Sequence, residues 1–123
     1  VVRCPYSRTQ GAQAAHKLLK LENPPTALLA GNDILAIGAL TAAQEIGLTI
    51  PHDLSLIGID DIYAASTTSP PLTTVAKPKY EIGAEAATRL LQHIQSEHPP
   101  APRQIFLKGH LVIRQTTGRI KNR

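Results

Sequence analysis

The sequence predicts an α/β domain built on a parallel sheet, and three observations carry that prediction. Residues 26–30, Thr-Ala-Leu-Leu-Ala, form an apolar run too short for a helix that stops at Gly31-Asn32-Asp33. Residues 54–59, Leu-Ser-Leu-Ile-Gly-Ile, form a second such run and stop at Asp60-Asp61. Between them the apolar residues recur at helical spacing, and a strand–helix–strand order with a short return implies a right-handed parallel crossover. Both runs then deliver polar tips to one edge of one sheet, which is where open α/β sheets bind ligands.

The elements follow in order. After Val1-Val2, read as a strand end, Thr9-Gln10-Gly11 leads into a helix over residues 12–21 with Ala15, Leu18 and Leu19 on its apolar face beside the small Ala12 and Ala14. Asn23-Pro24-Pro25 stops it, because proline lacks the amide donor and disfavours helical backbone in the residue before it. Residues 27–30 read as a buried strand. Either Asn32 or Asp33 can cap the next helix, with Asp33 the better placed for it, and the helix runs to Ile46 with Leu35, Ala39, Ala42, Ala43 and Ile46 on one side. Gly47 ends it as a left-handed cap, and residues 48–53 turn into the strand over 54–59.

Beyond Asp61 the pattern is irregular through Ser66-Thr67-Thr68-Ser69-Pro70-Pro71, residues 72–75 are a short extended run, and Pro78 forces a break. Over residues 80–95, Ile82, Ala86, Ala87, Leu90, Leu91 and Ile94 recur at helical spacing with Glu81, Glu85 and Arg89 opposite. His98-Pro99-Pro100-Ala101-Pro102 is a stiff connector and not a domain boundary, since residues 104–107 and 110–114 read as strands that need a partner. From Thr116 onward a frayed end is expected.

Composition narrows the function classes. With 123 residues, 42% hydrophobic and 18% charged, the chain can bury one core and is not of disordered composition. No apolar run approaches the roughly 20 residues of a membrane helix, and the first residues lack a secretory profile. The sequence has no methionine, so we expect a piece of a longer protein, and its single Cys4 can form no internal disulfide. The formal charge of +4 hints at nucleic acid, but Arg114, Arg119, Lys121 and Arg123 crowd the end as a solvated tail, and 3% aromatic residues leave few stacking platforms.

Catalysis finds no footing either. His16, His52, His93, His98 and His110 show no paired ligand spacing for a metal, and no Gly-x-Ser-x-Gly elbow is present. Asp60, Asp61 and Lys77 superficially resemble the acidic pocket and lysine of a phospho-accepting receiver domain, yet no third carboxylate sits at a strand end between Asp61 and Lys77. No enzyme activity, cofactor or metal is expected.

Taken in order, Thr26-Ala27-Leu28-Leu29-Ala30-Gly31-Asn32-Asp33 with Ala36-Ile37-Gly38, the stretch from Gly47 through Leu54-Ser55-Leu56-Ile57-Gly58-Ile59-Asp60-Asp61, and Pro70-Pro71-Leu72-Thr73-Thr74-Val75 resemble the effector-binding domain of the lactose-repressor family. The helix with Gly83 and Leu111-Val112-Ile113-Arg114 with Thr116-Thr117-Gly118 extend the resemblance over nearly the whole chain. It implies a parallel-sheet three-layer sandwich, the C-terminal portion of a type I periplasmic-binding-protein-like domain, truncated. It further implies a cytoplasmic regulator of transcription with no membrane partner, a dimer that reads operator DNA through an N-terminal helix-turn-helix lying upstream of Val1. By the same resemblance residues 1–76 and 109–118 belong to the C-terminal lobe and 77–108 to the N-terminal lobe, with the effector held between lobes.

A sugar or nucleoside ring carries hydroxyls on its rim and weakly apolar faces, so carboxylates and amides grip its edge and an aromatic ring covers a face. The family's pattern assigns these roles to Asp60 and Asn32 and places the stacking aromatic at Tyr6. For Asn32 the competing reading is a helix cap, and for Asp60 a solvated strand end. Asp61 is expected to stabilise the loop that follows. Where the family usually has Gln, this chain has Lys77, which only donates and carries charge; this favours an acidic sugar, a sugar phosphate or a sugar acid over a neutral sugar, unless Lys77 is a solvent-pointing hinge residue. Ile37, Leu40, Thr67 and Thr68 are the resemblance's candidates for the dimer face, with core and loop as their competing readings. A secreted sugar-binding protein of a transport system shares the two-lobed fold and is the rival function.

Overall fold

The computed structural model describes residues 1–97 and 100–119. In chain order they form helix α1 (Arg8–Leu19), strand β1 (Ala27–Leu29), helix α2 (Asp33–Glu45), strand β2 (Ser55–Ile59), helix α3 (Tyr63–Thr67), strand β3 (Thr73–Ala76), helix α4 (Lys79–Gln95) and strand β4 (His110–Val112). The strands lie in the order β1-β2-β3-β4. The two pairs with assigned registers are parallel: Ala27 faces Ser55 and Leu29 faces Ile57, while Ile57 faces Thr73 and Ile59 faces Val75. The α/β class and its parallel-dominated open sheet are therefore as the apolar runs imply. The chain divides into two compact units, one holding Val1–Ala76 and the stretch from Leu111 onward, the other Lys77–His110.

In the first unit, α1 begins earlier than the hydrophobic pattern suggests because Ser7 caps it, its Oγ accepting the Gln10 N–H at 3.2 Å. Gly11 stays inside the helix for a packing reason. A Cβ there would lie 2.5 Å from the Leu35 carbonyl oxygen, and a Cβ on Gly38 would overlap the Arg8 carbonyl oxygen, so the α1 and α2 backbones approach through paired glycines. Ala15, Leu19, Ala36, Ile37, Ala39, Leu40, Ala42 and Ala43 fill the helical side of the core against Leu54, Leu56 and Leu72. Ile37 and Leu40 are only 7% and 5% exposed, so their place is in this core and they offer no dimer surface. Thr67 is exposed and Thr68 half-buried.

Several other expectations are corrected. Val1 and Val2 form no strand. The strand at 27–30 is not buried: β1 lies at the sheet edge, and Leu29 is 70% exposed. The stretch after Asp61 contains the short α3, whose Ala65 is buried in the core. The end of the chain is not frayed at Thr116, which is fully buried. Its hydroxyl accepts the Thr73 N–H at 2.8 Å and donates to the Leu56 carbonyl at 2.7 Å, while its own carbonyl accepts the Leu56 N–H at 2.7 Å. Residues 116–118 thus stitch β2 to β3, and Gly118 N–H reaches Ser55 Oγ at 3.2 Å.

The second unit is dominated by α4, the helix the sequence pattern marks most plainly. No α4 residue is buried: Leu90 is 61% and Ile94 70% exposed. Arg103 pairs with Glu85 at 2.7 Å, and Arg89 donates to the Ala101 carbonyl at 3.0 Å, which lays the following segment along the helix. That segment carries no strand at 104–107. The connector residues His98 and Pro99 and the basic Lys121 and Arg123 lie outside the described residues. Among the described residues no helix is long and apolar enough to cross a membrane.

Candidate functional site

The carboxyl ends of β1 and β2 are adjacent, because Leu29 faces Ile57 and the Ala30 N–H continues the pairing by donating to the Ile57 carbonyl at 2.9 Å. Just beyond β1, Asn32 is the N-cap of α2: its backbone is extended and its Oδ1 accepts the Leu35 N–H at 2.9 Å. This corrects the expectation that Asp33 would cap. The amide oxygen of Asn32 is committed to the helix, which fixes the half-buried side chain at the mouth of the β1–α2 turn and leaves its NH2 to donate elsewhere.

Asp33 instead turns inward and is fully buried. Its Oδ1 accepts the Thr74 hydroxyl at 2.5 Å and its Oδ2 accepts the Ile62 N–H at 2.9 Å. Gly58 makes the room, since a Cβ there would overlap Asp33 Oδ1. A carboxylate without water needs such donors, because an unsatisfied buried charge is costly.

At the end of β2 the backbone takes a conformation that side chains rarely adopt. Asp60 has φ 116° and Asp61 φ 49°, and the first of these lies in a region that ordinarily belongs to glycine. Consecutive amides hold the turn: Asp60 N–H donates to the Val75 carbonyl at 2.9 Å, Asp61 N–H reaches Thr74 Oγ1 at 3.4 Å, and Ile62 N–H meets Asp33. The Asp61 carboxylate pairs with Arg114 at 2.6 Å, and Arg114 also donates to the Leu72 carbonyl at 2.8 Å. Asp61 is thus tied through Arg114, two residues past β4, to Leu72, the residue before β3. Asp60, like Asp61, is half-buried, and it directly follows the last residue of β2.

The remaining expected residues are placed less closely. Tyr6 is 78% exposed just ahead of the α1 cap. Lys77 is exposed and opens the second unit. A small apolar cavity of about 100 Å³ lies between α1, α2 and β1, lined by Cys4, Leu18, Leu28 and Leu35 among others, and none of Tyr6, Asn32, Asp60 and Lys77 lines it. Among the described residues no cluster of His, Cys, Asp and Glu could hold a metal ion.

Tyr63 was missed by sequence reasoning. It opens α3 two residues past Asp61 and is 85% exposed; its signal would have been recognising that Ala64-Ala65 begin a helical turn. Arg114 was also missed as a site residue, because its partner lies far away in sequence.

Comparison with known proteins adds the family. Residues 1–117 match the periplasmic binding protein-like domain. The chain is 40% identical over 117 residues to the HTH-type transcriptional repressor CytR of Escherichia coli (strain K12), covering 95% of this chain and 34% of that protein. It is 39% identical to the HTH-type transcriptional repressor PurR of Yersinia enterocolitica, covering 94% of this chain and 34% of that one. The structure of a LacI family transcriptional regulator from Arthrobacter sp. FB24 in complex with lactose superposes with a TM-score of 0.80 at 30% identity, over 91% of this chain and 42% of that one. The chain spans about a third of the length of the curated relatives it matches. The chain belongs to the periplasmic binding protein-like domain family, and the relatives it matches include LacI-family transcriptional regulators.

Proposed function

We propose that this chain is the effector-sensing and dimerising part of a DNA-binding transcriptional regulator, a repressor of carbohydrate-metabolism genes, and that Asp60 and Asn32 grip a hydroxyl-rich small molecule. The observation that carries the reading is the Asp60 turn. Glycine-like backbone at a side-chain-bearing residue costs about 1–3 kcal/mol, and such strain clusters at ligand clamps. Asp61, its neighbour, pairs with Arg114, and in this reading the strain at Asp60 fixes where its carboxylate meets the ligand. A carboxylate accepting hydroxyls contributes about 1.5–3 kcal/mol per charge-assisted hydrogen bond, enough for one well-placed Asp to dominate affinity.

The relatives named above are repressors of transcription, which favours a regulator over a transport binding protein. In this reading operator binding resides in a helix-turn-helix outside these residues, the intact protein is a homodimer with Thr67 and Thr68 near its interface, and residues 77–108 belong to the N-terminal lobe. Effector binding shifts the population between lobe arrangements and thereby operator affinity. Tyr6 covers a ring face, and Lys77 favours an anionic sugar such as a sugar acid or sugar phosphate over a neutral one.

The test uses the intact regulator titrated by calorimetry with glucose, ribose, gluconate and glucose 6-phosphate. Asp60→Ala should raise the dissociation constant of whichever compound binds by at least about tenfold, a loss of roughly 1.4 kcal/mol, while operator affinity without effector stays the same. Unchanged effector affinity would remove Asp60 from the site.

A further inference from the structure

We infer that Asp33 is a positioning residue: its buried carboxylate, seated over Gly58, holds the Asp60 turn in its glycine-like conformation. The inference rests on the reading of Asp60 as an effector contact, but its physical content is separate and can fail alone. Asp33 sits at the start of α2, one residue after the cap, yet its side chain leaves the helix and bonds to two other elements. Through Oδ2 it takes the Ile62 N–H, two residues past Asp60, and through Oδ1 the hydroxyl of Thr74 in β3. The same Thr74 hydroxyl receives the Asp61 N–H, and the next residue, Val75, supplies the carbonyl that receives the Asp60 N–H.

The turn is therefore held at Ile62 by Asp33 itself, at Asp61 by the Thr74 hydroxyl that Asp33 also binds, and at Asp60 by the carbonyl of Val75, the residue next to Thr74. Three features of the sequence converge on this one oxygen pair. Gly58 is required for space, Thr74 must carry a hydroxyl because a valine of the same shape would leave Oδ1 unsatisfied, and Asp33 must offer two acceptors because both of its partners donate. Asparagine has only one acceptor oxygen, so Asp33→Asn sets an NH2 against either the Ile62 N–H or the Thr74 hydroxyl. The Thr74 hydroxyl can rotate to accept, and the variant should fold; what it loses is the fixed orientation of Thr74 toward the turn.

Amide hydrogen exchange on the full-length protein tests this without any effector. In Asp33→Asn the amides of Asp60 and Ile62 should exchange at least about tenfold faster, while the Ala36 and Leu56 amides keep their rates. Gly58→Ala, which pushes the carboxylate from its seat, should reproduce the pattern, and Thr74→Ser, which keeps the hydroxyl, should not. Unchanged exchange at Asp60, or an equal rise at every amide in all variants, overturns the inference.

A second readout separates it from the effector reading. With glucose, ribose, gluconate and glucose 6-phosphate as probes, Asp33→Asn should weaken the tightest of them about tenfold, and the loss should vanish in an Asp60→Ala background. Additive losses would show that Asp33 acts elsewhere. If Asp60→Ala alone changes no affinity, the effector reading fails, and the exchange data still decide whether Asp33 holds the turn.

Discussion

Asp60 is the residue on which the backbone and the chemistry disagree. Its φ of 116° asks for glycine, while a binding role asks for a carboxylate. The two demands can be separated by substitution. Asp60→Gly removes the carboxylate and the strain together, whereas Asp60→Ala removes the carboxylate and keeps a Cβ in the unfavourable region. We expect Asp60→Gly to be more stable than Asp60→Ala by about 1 kcal/mol in urea unfolding, with both equally poor at binding effector. Equal stabilities would mean that the turn relaxes out of its φ once the carboxylate is gone.

The same scale shows what the sequence could and could not reveal about the site. Asp60 and Asn32 are legible because each ends an apolar run, and that position is visible one residue at a time. The division of labour between Asn32 and Asp33 is not, since both side chains are good caps and only the tertiary partners Thr74 and Ile62 draw Asp33 inward. The pairing of Asp61 with Arg114 is likewise invisible, because nothing local to either residue announces the other.

At the level of elements, the crossing of α1 and α2 is set by glycines that propensity alone would count against a helix. A Cβ on Gly38 would overlap the Arg8 carbonyl oxygen and come within 2.8 Å of the Ala12 nitrogen, both backbone atoms that cannot swing aside. Gly38→Ala, favourable in an isolated helix, should instead lower unfolding stability by about 1–3 kcal/mol through overpacking, read as a lower urea midpoint at unchanged slope. No loss would mean that the helices slide apart at little cost. The elements themselves were readable where periodicity was long, as in α2 with Gly47 at φ 80° behind it, and in α4. α3 was too short to carry a period, and residues 116–118 owe their order to β2 and β3, whose contribution lies in hydrogen bonds between distant segments.

For the whole molecule, the second unit poses the sharpest physical question. Its helix is amphipathic in sequence, yet Ile82, Leu90, Leu91 and Ile94 are 46%, 61%, 54% and 70% exposed, an apolar face that a soluble protein rarely leaves to water. If residues 77–108 belong to the N-terminal lobe of a longer regulator, that face meets its partner in segments beyond these residues. Replacing Leu90 with Glu and Ile94 with Lys tests this in two contexts. In the 123-residue chain expressed by itself, the pair should change unfolding stability by no more than about 0.5 kcal/mol and should lessen self-association, since surface substitutions are nearly neutral. In the full-length regulator the same pair should cost several kcal/mol, on the order of 3–5, because two charges would be buried against an apolar lobe. Equal and small effects in both, measured by urea unfolding, would place α4 on the surface of the intact protein and remove the lobe assignment with it.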